Sequence, residues 1–403
     1  MKRSFIFLLS SLLLIAIMFA VANYIPNTLP VGSDFSALYY ADLALVNGIH
    51  VYDLPKMEAL ALSKSNLPAE RFFMPRFPYP PWYMLSTFYL GLMPIQSAGA
   101  LWFELNLVLL FLSVWFLTDG WNGRMRLVSF ALALFFLPVL GALSVGQYDF
   151  PVLLGTSLSI YSLRKENVSL TILGVVLLTF KPHVGALILL SVLGWLVVSR
   201  NKPAVRLTEG YRRRAMRSVF ASGVGLSIAS LIADPLWFIN YPKMLLGYQG
   251  EGNVSSCSEC SSVPVWLSRW LFGGSLKQAS IIALVLLVVL VFLFWLIRKS
   301  LMQSPETMVT SALLVTLLVS PYLYNYDFVL LLVPFAVLVN TQSIVLKIIA
   351  GLSYLIPSFV IILYSREGNI ALNTATVFIA FVLYLHAKSQ VDVPTSGPYN
   401  MNS

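Results

Sequence analysis

Residues 278–297 read Gln-Ala-Ser-Ile-Ile-Ala-Leu-Val-Leu-Leu-Val-Val-Leu-Val-Phe-Leu-Phe-Trp-Leu-Ile, and Arg298-Lys299 follow at once. Roughly 20 uncharged, apolar residues in an α-helix cross a hydrocarbon layer of ~30 Å. That layer offers no water to backbone N–H and C=O groups, so a segment crossing it must bond its own backbone as a helix. The two cations after it mark a cytoplasmic end, because Lys and Arg gather on that side. This stretch makes the chain an integral membrane protein of the all-α class.

The rest of the chain agrees. It is 58% hydrophobic and only 11% charged, where soluble domains carry about 25% charged residues. Mean hydropathy is +0.81. The net charge of +9 does not point to nucleic acid, because the basic residues sit in short segments beside the apolar runs. Two cysteines in 403 residues rule out a disulfide scaffold. The aromatic residues suit both interfacial belts and a substrate-lining cavity.

Met1-Lys2-Arg3-Ser4 and the apolar run from Phe5 resemble a signal peptide, with Ala20-Val21-Ala22 like a cleavage site. The run continues to Ala22, long enough to cross, so an uncleaved first span is expected. The stretch of about 23–97 is then expected to form an outer loop, and any chemistry is expected there. Within it, residues 82–93 are apolar but bracketed by prolines, and at about 18 Å of helix they suit an interfacial helix better than a crossing. A crossing there would also put Arg124 and Arg126 outside. Further spans are expected at 98–118, 127–143, 149–163, 168–180, 184–199, 218–233, 278–297, 306–320, 328–340, 344–363 and 369–386, about 12 in all. The segment 200–217, with Arg200, Lys202, Arg206, Arg212, Arg213, Arg214 and Arg217, is the firmest cytoplasmic assignment. Residues 1–387 make one transmembrane domain, and 388–403 a polar, disordered tail. Both termini are cytoplasmic, in a multi-pass protein of the cell membrane. No internal or inverted repeat is visible.

On this topology Asp34, Asp42, Asp53, Arg76, Gln147, Asp149, Lys181, His183, Asp234, Arg269 and Asp327 fall in or beside outer loops. Ser33 or Asp34 caps a helix running to about Asn47, with Gly48 as its stop. A carboxylate there is stabilised as the anion by the free N–H groups and the dipole. Asp34 is either such a cap alone or a solvent-facing proton acceptor. Lys181, between two short apolar segments and before Pro182, needs an anionic partner: a lipid phosphate, or a salt bridge to Asp149 or Asp327. Cys257 and Cys260 have the spacing of half a zinc site without a second pair, or of a small disulfide ring. No Gly-rich phosphate loop is present, which argues against a nucleotide-linked substrate.

Ser33-Asp34-Phe35 with Tyr39-Tyr40 and Val51-Tyr52-Asp53 resembles the first outer loop of glycosyltransferase family 87. Tyr79-Pro80-Pro81, Leu101-Trp102, Gly146-Gln147, Phe180-Lys181-Pro182 and Ser320-Pro321 with Tyr326-Asp327-Phe328 are similar to later motifs of that family, in order. The resemblance covers about 30 to 340. It departs from the family after Ser-Pro, where a frequent histidine is replaced by Tyr322. It implies a GT-C type transmembrane bundle and transfer of a hexose, foremost mannose, from a polyprenyl-phosphate-sugar to a lipid-linked or glycan hydroxyl, with inversion. It implies Asp34 as general base and Lys181, Arg76 and Arg269 as cations for the donor phosphate. Tyr39, Tyr40, Gln147, Tyr322 and Asp327 are candidates for the substrate cavity. No cofactor is expected, and a divalent metal is possible without being required. The competing expectations are a transporter or flippase of lipid-linked saccharides and a non-catalytic subunit of an envelope assembly.

Overall fold

The computed structural model describes residues 33–64, 77–198, 207–248, 260, 262–273, 276–296, 301, 304–363, 374–375 and 377–385. Every regular element among them is helical. The expected first span and Arg76 lie outside the described residues.

An outer layer comes first: α1 (Ser33–Val46), α2 (Leu54–Lys64) and α3 (Pro81–Thr87), the last running into a 3-10 turn, Phe88–Leu92. Gly48, at φ +70°, ends the α1 region, and the Ile49 N–H reaches back to the Ala44 carbonyl at 2.9 Å. The 3-10 turn packs so closely on α1 that a Cβ at Gly91 would lie 2.6 Å from the Asp42 backbone. As expected for 82–93, this segment is too short to cross.

The bundle follows: α4 (Ile95–Leu117), α5 (Gly123–Phe135), α6 (Leu137–Val145), α7 (Asp149–Lys165), α8 (Val168–Leu178), α9 (Pro182–Val198) and α10 (Glu209–Ala233). Then come α11 (Trp237–Tyr248), α12 (Val263–Phe272), α13 (Leu276–Leu296), α14 (Pro305–Val319), a 3-10 segment (Asn325–Leu331), α15 (Leu332–Val339) and α16 (Ile344–Leu363). α7 is the hub, with 14 of its 17 residues buried. Its Thr156, Ser157 and Ser159 hydroxyls bond the carbonyls of Val152, Leu153 and Gly155 at 2.7–2.8 Å, which lets polar residues sit in an apolar interior. α8 lies directly against it. A Cβ on Gly155 would stand 2.9 Å from the Gly174 carbonyl, so small residues set this crossing.

The all-helical expectation holds among the described residues, and the count of about 12 spans is not confirmed by them. Three helices among the described residues are long and apolar enough to cross: Ile95–Leu117, Glu209–Ala233 and the α13 segment Lys277–Leu296. A fourth candidate, the expected 127–143, is a broken pair: α5 and α6 meet at 60°, where Pro138 enters the first turn of α6. Further apolar helices, α8, α9, α14, the 325–339 segment and Ile344–Ile356 of α16 among them, are shorter than those three. Length is the physical reason, since ~20 residues are needed to cross alone. The lipid-facing character shows on α13, where Leu284, Val285, Val288, Val291 and Phe292 are exposed.

Two further differences concern loops. α10 starts at Glu209 rather than at 218, because Glu209 pairs with Arg212 and Arg213 one turn on, at 2.6 and 2.5 Å. The expected outer loop 234–277 contains α11 and α12, the latter exposing Trp266, Trp270, Leu271 and Phe272 while burying Pro264, Val265 and Ser268. That one-sided pattern suits a helix lying in the membrane interface.

At one end of the bundle Asp119 meets Arg126, Arg164 and Lys165 at 3.6, 3.5 and 3.1 Å, and Arg164 meets Glu306 at 2.8 Å. The other end gathers Asp34, Asp149, Lys181 and Asp327.

Candidate active site

The site is built on the turn between α6 and α7. Gly146 there has φ +69°, and a Cβ on it would stand 2.5 Å from Phe35 Cβ. The α1 N-terminus can therefore seat against this turn only because the position is glycine. Burying Phe35 there, at 2% exposure, contributes about 1.5–3 kcal/mol. The turn is fastened from below: Trp102 Nε1 donates to the Gly146 carbonyl at 2.9 Å, and Asn106 Nδ2 to the Gln147 carbonyl at 3.5 Å.

Gln147 is buried and its amide is pinned at both ends. Its Oε1 accepts from the Tyr148 N–H at 2.8 Å, and its Nε2 donates to Asp34 Oδ2 at 2.8 Å. The Tyr148 hydroxyl donates to the Asp34 carbonyl. Tyr148 itself is packed edge-on among Phe77, Tyr79 and Tyr83, with ring centres 4.8–5.9 Å away.

Asp34 stands in the first turn of α1 and is partly open. Beside the helix terminus expected to favour the anion, burial acts in the opposite direction. Burial raises the Asp34 acid above the ordinary carboxylate range. The nearby Lys181 charge and hydrogen bonding from Tyr326 and Gln147 pull the other way without prevailing, and the Asp327 charge adds to the rise. A carboxylate so raised is a better proton acceptor near neutrality than a free one.

Behind Asp34 lies an ion cluster. Lys181, in the turn between α8 and α9, donates from Nζ to Asp149 Oδ1 at 2.8 Å and to Asp327 Oδ1. It sits 5.2 Å from the centre of the Tyr326 ring. Asp327 Oδ2 in turn accepts from the Tyr324 N–H at 2.6 Å. All three charged side chains are buried. One ammonium thus ties the start of α7, the α8–α9 turn and the 325–331 segment together.

Of the residues singled out in the sequence, the structure brings Asp34, Gln147, Lys181 and Asp327 together. Tyr39 and Tyr40 are packed in the outer layer, and the Tyr39 hydroxyl donates to the Met93 carbonyl at 2.9 Å. Tyr322 packs beside Cys260, Val265 and Ala279. Arg269 is on α12, whose Val265 shares that cluster. Cys260 is disulfide-bonded, and Cys257, the only other cysteine in the sequence, lies outside the described residues. The salt bridges from Lys181 to Asp149 and Asp327, one of the two readings that the sequence offered for this lysine, are both present. The site also holds Tyr148 and Tyr326, to which the sequence reading gave no role. Tyr326 looks in sequence like another interfacial aromatic, and only the neighbouring Asp327 signals its role. No group of three or more His, Cys, Asp or Glu suited to a metal occurs among the described residues.

Residues 77–321 match the family model of glycosyltransferase family 87. The matched stretch holds Gln147, Asp149 and Lys181; Asp327 lies six residues past its end, and Asp34 lies 43 residues before its start. No curated protein and no solved structure matches the chain. The match spans more than half of the chain, which belongs to glycosyltransferase family 87.

Proposed function

We propose that this membrane glycosyltransferase of family 87 moves a hexose, foremost mannose, from a polyprenyl-phosphate-sugar to a hydroxyl of a lipid-linked or glycan acceptor. The reaction takes place on the extracytoplasmic side of the cell membrane, inverts the anomeric centre and uses Asp34 as general base. The carrying observation is the Asp34 carboxylate itself. It is held by the buried Gln147 amide at 2.8 Å, partly open, and raised in basicity by its surroundings.

In this scheme the acceptor hydroxyl gives its proton to Asp34 as its oxygen attacks the anomeric carbon. The bond to the phosphate breaks on the opposite face, and phosphate departs with the electron pair. Phosphate is a fair leaving group, so proton acceptance and charge stabilisation are the tasks left to the protein. Lys181 supplies a cation close behind Asp34, with two of an ammonium's three donors given to carboxylates. Arg269 and Arg76 are the further proposed phosphate ligands. No metal is needed. A transporter would carry its ionisable groups near the middle of its helices, whereas Asp149 opens α7 and Lys181 lies between α8 and α9.

The test is transfer by purified protein of labelled mannose from synthetic polyprenyl-phosphate-mannose to an extract of membrane lipids and envelope glycans. Transfer that Asp34→Asn abolishes supports the reading. A wild-type protein that transfers neither mannose nor another hexose offered on the same carrier overturns it.

A further inference from the structure

Gln147 is the neutral donor in a site of charged groups, and nothing in its place suggests a role in packing alone. Four contacts fix its orientation. Gly146 in front of it takes a left-handed conformation against Phe35, the Gln147 N–H bonds the Ala142 carbonyl at 2.8 Å, its own carbonyl faces Asn106, and its Oε1 is held by Tyr148 N–H. The Tyr148 bond decides which way the amide points. With Oε1 taken as acceptor, only the NH₂ end can face Asp34, and it does so at Oδ2.

We infer that Gln147 is a positioning residue for sugar transfer: it occupies Oδ2 of Asp34, so that the acceptor's proton lands on Oδ1. The inference rests on Asp34 being the base. Oδ2 already accepts an N–H and is a poor place for a second proton, while no amide donor to Oδ1 occurs among the described residues, the Tyr326 hydroxyl being the carboxylate's other hydrogen-bond partner. The hydroxyl proton moves to Oδ1, the freed oxygen bonds the anomeric carbon, and the departing phosphate takes the electrons of the broken bond. A neutral amide suits this better than a cation. It orients the carboxylate without cancelling the charge that makes it a base, whereas Lys181 is kept one layer behind by Asp149 and Asp327. Among the described residues, the titratable groups around Asp34 include Tyr79, Tyr148, Tyr326, Asp327 and Lys181, with Asp149 beyond them.

The test compares wild type with Gln147→Leu, Gln147→Glu and Asp34→Asn, using the mannose-transfer assay above. Gln147→Glu keeps the shape and the acceptor for Tyr148 N–H, so it reports on chemistry even where Gln147→Leu folds poorly. Loss of orientation predicts kcat lower by about 10- to 100-fold with KM within about 2-fold. Removing a donor from the anion, or setting a second carboxylate beside it, disfavours the ionised base. The acid limb of the pH–rate curve therefore moves to higher pH in both variants. Isotope-edited infrared difference spectra against Asp34→Asn follow the same carboxylate without substrate. Wild-type kcat and an unmoved Asp34 titration in both Gln147 variants, with Asp34→Asn inactive, overturn the inference. Should Asp34→Asn transfer normally, the base assignment falls instead, and the infrared titration still decides whether Gln147 governs that carboxylate.

Discussion

Lys181 Nζ stands 2.8 Å from Asp149 Oδ1, and both side chains are closed to solvent. With Asp327 on the same ammonium, the cation is outnumbered by its partners. Taking one partner from a buried pair leaves an uncompensated charge, at about 3–5 kcal/mol. Lys181→Met is expected to lose stability on that scale in detergent, because two buried carboxylates are left facing each other. Asp149→Asn, which leaves the Lys181–Asp327 contact, should lose less. Denaturation curves on the two variants decide it, and equal stabilities would show that the cluster is not structural.

Asp34→Asn retains the shape and position of the side chain but cannot take a proton. Turnover is expected to fall by about 10²- to 10⁴-fold while donor lipid still binds. Asp53→Asn serves as the control, since Asp53 pairs with the exposed Lys56 at 2.7 Å, away from the cluster. Transfer rates and donor affinities on both purified variants are the measurement.

Asp42 is fully buried, with the Thr87 hydroxyl on Oδ1 at 3.2 Å and no protein donor for Oδ2 among the described residues. Burial holds its acid well above the ordinary range, with the Thr87 bond opposing only in part. The folded state then keeps a proton that the unfolded chain has lost. Stability therefore falls as pH rises from about 3.9, the free value, towards the raised native one. Asp42→Asn should flatten this limb and raise stability at neutral pH without harming transfer. A pH series of unfolding midpoints on the two proteins checks the sign.

Gly146→Ala places a methyl 2.5 Å from Phe35 Cβ at a φ of +69°. The combined overpacking and backbone strain are expected to cost about 1–3 kcal/mol. The larger effect should fall on transfer, because pushing Phe35 away displaces Asp34 with it. Gly141→Ala, where a Cβ meets nothing within 4 Å, is the matched control.

Sidedness is open to direct labelling. Lys56 is exposed on the layer that holds α1, and Arg213 is exposed at the start of α10. In intact cells a cysteine at 56 is expected to react with an impermeant thiol reagent and one at 213 to stay unlabelled, each in a background with Cys257 and Cys260 replaced. The reverse pattern would put Asp34 in the cytoplasm.

Much of this arrangement is legible in the sequence where local chemistry is strong. Ser33, Asp34 and Gly48 mark the α1 helix, the short bracketed run at 82–93 marks a segment that does not cross, and Lys181 signals a buried anionic partner. The hub role of α7 is not legible. Thr156, Ser157 and Ser159 read as polar, yet they satisfy their hydroxyls on their own helix and need no neighbour to be buried. Nor does apolarity separate a crossing that faces lipid from one inside the bundle, which is why the span count exceeds the helices able to cross alone. The pairing of Asp34 with Gln147 joins positions 113 residues apart, and no periodicity encodes such a contact. The raised Asp34 acid is hidden for a related reason: the helix start is visible from sequence, but the packing that partly buries the carboxylate is not.

The length of α7 has a further consequence. Its 17 residues make about 25 Å of helix, against ~30 Å for a hydrocarbon layer. A helix that short does not reach both faces of such a layer by itself, and its first residue, Asp149, is closed to solvent. Mobile salt ions do not reach it. Added salt should weaken the surface network around Asp119 and leave the Lys181 cluster untouched, so ionic strength acts on one end of this protein and not on the other.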